Sequence, residues 1–147
     1  MSGSGYKVGN YGLAQGFLGL VGIVLVVSGL LGFINNPIVG PGPNNDGTGV
    51  ILAANTVHNI VHIATGALAL FFAFGTRGEA QVNGVLIFAV IYALIFVVVL
   101  ISPRFFGLFD PIPANVGDHA LHAALALAAF GVWYMAKNQT STATATR

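Results

Sequence analysis

Long apolar runs alternate along this chain with short polar stretches rich in turn residues. Four runs, residues 11–33, 52–74, 83–101 and 118–135, each approach the roughly 20 residues that carry a helix across about 30 Å of hydrocarbon. None of them contains Lys, Arg or Glu. The third is the most uniform, since Val85 to Ile101 has no polar residue except Tyr92. An evenly apolar helix of this kind is expected to face lipid or a partner's helices. The connecting stretches, NNPIVGPGPNNDGTG from Asn35, GTRGEAQ from Gly75 and SPRFFGLFDPIPANVG from Ser102, are dense in Gly, Pro, Asn and Asp and read as loops. The pattern predicts an all-α fold, a polytopic membrane four-helix bundle forming one domain over residues 1–137. The threonine-rich stretch 138–147 has no apolar positions to pack and is expected to be a disordered tail.

Composition strengthens this picture. Hydrophobic residues make up 56% of the chain and charged residues 6%, where a soluble domain carries about a quarter charged residues. The amino-terminal run is too long for a cleaved signal, so the first span is expected to remain as an anchor. With no cysteine, disulfides, thiolate metal sites and dithiol redox chemistry are excluded. Five scattered basic residues form no patch for nucleic acid or anionic lipid. Their distribution predicts orientation instead. Lys7, Arg77, Lys137 and Arg147 fall on one side of the four spans and Arg104 alone on the other, which predicts both termini in the cytoplasm of an inner, cell-membrane protein. Tyr6, Tyr11, Trp133 and Tyr134 lie where an interfacial aromatic belt is expected.

The first span carries Gly12, Gly16 and Gly19 at three-to-four spacing, a flat stripe expected to allow close helix contact within the chain. The polar residues of the later spans are more informative. All four histidines lie in two short motifs, HNIVH from His58 to His62 and DHALH with Asp118, His119 and His122. His58 and His62 are one turn apart and share a helix face with Asn55, as do Asp118 and His122 on their own helix. Polar groups in hydrocarbon cost free energy unless partners satisfy them, so the two stripes are expected to meet, with helix two packed on helix four.

Three readings of this cluster compete. In the structural one, imidazole and amide groups, with Asn55 and Asn59 in the network, fix which faces pack, and Asp118 caps its helix after Gly117. In the metal one, His58, His62 and His122, with Asp118 or His119, enclose a divalent transition metal such as zinc or copper. Asn59 stands where a zinc protease needs a glutamate, and Asp118 is the only acid within reach, so neither metalloprotease nor carboxylate-rich di-iron chemistry is expected. In the third, one histidine from each helix ligates a haem, or a single one ligates a haem or chlorophyll, although histidines one turn apart leave no space for two stacked macrocycles. The same imidazoles also suit proton or pH sensing.

GFLGLVGIVLVVSGLLGF, HNIVHIATGALAL and DHALHAALAL resemble a bacterial family of four-span membrane proteins catalogued as domain of unknown function 4383. The likeness spans nearly the whole bundle and implies that fold without an activity. It places the family's HNxxH on His58, Asn59 and His62, and its Asp with a His four residues on at Asp118 and His122. His119 stands where the family usually has Asn. No nucleophile with a base nearby occurs in the spans; Ser28 is expected to bond a carbonyl one turn back. A non-enzymatic protein is therefore expected, partnered by the lipid bilayer, whose histidines bind a metal ion or anchor a partner complex. The alternative is an accessory subunit of a larger membrane complex, or a self-associating one, packing through the third helix.

Overall fold

The computed structural model describes residues 11–145, with side chains for residues 12–138. Four helices carry it: α1 Tyr11–Leu31, α2 Thr56–Leu70, α3 Glu79–Ile101 and α4 Val116–Ala145. A π-helical turn, Phe71–Gly75, prolongs α2. Each is long and apolar enough, with that turn, to cross a membrane, and the protein is a membrane-embedded four-helix bundle. Its surface agrees, because Leu20, Ile23, Val24, Leu30, Val90, Leu94 and Leu127 are exposed as a lipid-facing shell would have them.

The second and third spans each begin four residues from where hydropathy predicts, for local reasons. Leu52 and Ala53 are not helical. They form β2, which pairs in parallel with β1, Val39–Gly40, so that α2 starts only at Thr56. Asn55 caps it, its side-chain oxygen accepting from the His58 N–H at 2.9 Å. α3 begins four residues before the apolar run, at Glu79, after Gly78 in a backbone conformation with φ 64°. Gln81 in its first turn is buried and donates to the Ala73 carbonyl at 2.8 Å, joining α3 to the end of α2. At the other end of the chain, α4 continues to Ala145, into the stretch expected as a disordered tail. A helix already held by packing extends without a new nucleation step, and alanines favour it. The last two residues of that expected tail, with residues 1–10, lie outside the described residues.

Packing also departs from expectation. α2 lies closest to α1, and α4 to α3; α2 is not backed onto α4. Glycine explains the first pair. A Cβ on Gly66 would lie 2.8 Å from both the Gly22 carbonyl oxygen and the Val26 nitrogen, and one on Gly29 would lie 2.6 Å from the Asn59 carbonyl oxygen. The expected stripe is displaced, because among the described residues Gly12 and Gly16 meet nothing and Gly19 meets only the Phe74 ring, while Gly22, Gly29 and Gly32 make the close contact. α3 is not lipid-facing all round. Val85, Phe88, Ala89 and Tyr92 are buried in a core shared with Leu18, Leu25, Ala126 and Ala129, and Ile87, Val90, Leu94 and Val97 face outward.

Candidate metal centre

α2 and α4 both begin at the end of the bundle that carries the two long loops, and each brings its histidines there within its first two turns. His58, His62 and His122 are fully buried, with ligand nitrogens all within 4.8 Å of one another. Their ring centroids are 4.5 Å apart for His58 and His62, 5.8 Å for His58 and His122, and 6.3 Å for His62 and His122. The bulk of these rings holds α2 and α4 apart. The helices meet through side chains, where the sequence suggested direct packing.

His58 is the most constrained of the three. Its Nδ1 lies 3.1 Å from the Ala53 carbonyl oxygen, an acceptor, so Nδ1 carries the proton and donates. That tautomer leaves the lone pair on Nε2, which is buried without a hydrogen-bond partner. Ala53 is itself pinned from α4, since its N–H donates to Asp118 Oδ2 at 3.1 Å. β2 thus links the carboxylate of one helix to the imidazole of the other. Backbone or carboxylate support of this kind fixes the tautomer of metal-binding histidines.

Asp118 does not cap α4 as expected. Asn115 does, its side-chain oxygen accepting from the Asp118 N–H at 3.0 Å, while Asp118 Oδ2 accepts from the Asn115 N–H at 2.8 Å. This reciprocal pair is a capping box, and Asp118 is its third helical residue. Gly117 beside it presses on the Ile51 carbonyl, leaving no space for a side chain. Asp118 and His119 stand outside the histidine trio, although Asp118 Oδ1 and His119 Nδ1 are buried without partners. The two asparagines also serve other contacts. Asn55 donates to the Leu108 and Asp110 carbonyls at 3.1 Å, tying α2 to the loop before α4. Asn59 turns to α1, its amide lying against Gly32, where a Cβ would meet the amide itself.

Aromatic rings wall the trio. Phe109, from the loop before α4, stacks on His58 with centroids 4.5 Å apart and planes 9° from parallel, and Phe105 stacks behind it at 5.2 Å. Phe105 and Phe106 both have positive φ, of 47° and 55°, a conformation that costs side-chain-bearing residues about 1–3 kcal/mol each. On the bundle side, the Tyr92 ring lies 5.9 Å from that of His122, and its hydroxyl pairs with Thr65 at 3.0 Å. Tyr92 was legible as the one polar residue in an otherwise apolar span. Phe109 carried no such signal, because a loop aromatic among Phe105, Phe106 and Phe109 is not singled out by spacing.

With the rings this close, no slot remains between α2 and α4 for a porphyrin or chlorin. A metal ion needs less. Zinc or copper bonds imidazole nitrogen at about 2.0–2.1 Å, which brings three ligand nitrogens to about 3.5 Å of one another, so small ring rotations close the site.

The sequence profile of the family described as Domain of unknown function (DUF4383) matches residues 15–135. The chain belongs to this family. The matched segment of this DUF4383 protein contains the second and third spans, nearly all of the first and fourth, the trio, Asp118 and the loops that cover them. Neither the curated proteins nor the solved structures yielded a match. Ser28, the hydroxyl singled out in the first span, donates to the Leu25 carbonyl at 3.0 Å, as expected of a residue satisfied by its own helix.

Proposed function

We propose that this DUF4383 protein is a non-enzymatic, multi-pass protein of the inner cell membrane that binds a transition-metal ion through His58, His62 and His122. One observation supports this over a purely structural network. His58 Nε2, His62 Nδ1, His62 Nε2 and His122 Nδ1 are all buried without hydrogen-bond partners. Each unsatisfied buried polar atom costs about 1–3 kcal/mol, and a network serving only to hold helices together would spend these nitrogens on one another or on the backbone. Metal coordination through one nitrogen of each histidine satisfies up to three of the four at once.

The distribution of Lys and Arg supports an orientation in which both termini are cytoplasmic and the trio lies toward the outer face. Lipid chains suffice to cover the exposed strip of α3, so this reading requires no partner protein. The test is elemental analysis of protein purified in mild detergent. Zinc, copper or iron is expected at one equivalent per chain, lost in the double variant His62→Ala with His122→Ala. Metal-free protein whose thermal stability does not respond to added zinc or copper would overturn the proposal, since a tightly bound ion must raise stability.

A further inference from the structure

Resting on that reading, we infer that the trio selects a soft monovalent ion, copper(I), over the divalent zinc ion. The argument is one of charge in a medium that cannot screen it. The cost of burying an ion scales with the square of its charge, so a divalent ion is roughly four times as expensive as a monovalent one of similar size unless anionic ligands offset it.

No anionic ligand belongs to the trio. The chain has four acidic residues, and none of them belongs to the ligand set. Asp46 is bound to its own loop through Thr48, and Asp110 pairs with Arg104 at 3.4 Å. Glu79 lies thirteen residues before Tyr92 on α3, about 20 Å along the helix. Asp118 spends Oδ2 on the Ala53 and Asn115 amides, and although its Oδ1 is without a partner it stands outside the ligand set. Thiolate is excluded by the absence of cysteine.

The donors are therefore three imidazoles, one of them fixed by the Nδ1–H bond to Ala53 in the tautomer that leaves Nε2 for a metal. Three nitrogens complete a trigonal site for copper(I). Zinc prefers a fourth ligand and gains from an anionic one. The stacked Phe109 ring and the Tyr92 ring beside His122 keep the surroundings apolar, which penalises the divalent ion further.

The test is an anaerobic competition on the full-length protein in detergent. Copper(I) is supplied as its bicinchoninate complex against a tenfold excess of zinc(II), and silver(I) replaces copper(I) in a parallel run as a monovalent ion immune to oxidation. One equivalent of copper(I) or silver(I) per chain is expected, with zinc below one tenth of that. In His122→Asp, which adds one negative charge to the ligand set, the copper-to-zinc ratio is expected to move at least tenfold toward zinc. Should that variant not fold, the silver-against-zinc result on the natural chain decides. Zinc retained in preference to both monovalent ions overturns the selectivity and leaves metal binding standing. Retention of none of the three overturns both.

Discussion

The two interfaces made by α2 are built on opposite principles. Toward α1 it presents Gly66 to Gly22 and lays Asn59 against Gly29 and Gly32, so the two backbones touch. Toward α4 it presents His58 and His62, and the helices are held apart by imidazoles, Phe109 and Tyr92. Within a bilayer, helices associate through packing and hydrogen bonds, because lipid is as apolar as the side chains. The glycine interface meets that requirement chiefly by fit, with one unpartnered buried oxygen, Asn59 Oδ1. The histidine interface leaves four ring nitrogens unsatisfied, and it is the part of the bundle that packing does not explain.

Substitutions can sharpen this contrast. Asp118→Ala is expected to have the largest effect, since it orphans the amides of Ala53 and Asn115 at about 1–3 kcal/mol each and frees the strand that orients His58. Asp118→Asn keeps an acceptor oxygen and is expected to recover most of the loss in a thermal melt. Next comes Gly66→Leu, which forces a side chain into the Gly22 backbone and is expected to cost about 1–3 kcal/mol or more. Gly12→Leu, in open space on α1, is expected to stay within about 0.5 kcal/mol, and equal losses in the two variants would refute the close-contact account.

His62→Leu separates the two interfaces most directly. It removes two buried, unpartnered nitrogens at similar volume, so metal-free protein is expected to hold or gain up to about 1 kcal/mol while metal retention disappears. A marked loss of metal-free stability would mean that the imidazole is a packing element after all. A small effect is also expected for Tyr92→Phe, which breaks one hydroxyl pair with Thr65 and should lower stability by about 0.6 kcal/mol in a melt, leaving metal stoichiometry unchanged.

Much of the candidate site was legible before any coordinates. HNIVH and DHALH sit one turn inside helices that start at the same end of the bundle, and that placement brought His58, His62 and His122 together. Asp118 was misread as a cap because a Gly–Asp helix start resembles one; the Asn115–Asp118 spacing of a capping box was present and gives the correct role. The contacting glycines Gly22, Gly29 and Gly32 lie further along α1 than the expected stripe, because Gly12, Gly16 and Gly19 have the same spacing as any contact face and nothing local says which face has a neighbour.

The number of spans, the membrane solvent and the two histidine motifs follow from sequence alone, because hydrophobic length and helical spacing are local properties of the chain. The pairing of α1 with α2 and α3 with α4, the Phe109 ring over His58, and the passage from Asp118 through Ala53 to the His58 tautomer were decided only by the tertiary structure. These depend on contacts between residues far apart in the chain, such as Ala53 and Asp118, and on whether a given face finds a small or a bulky neighbour. Neither is written in any one segment.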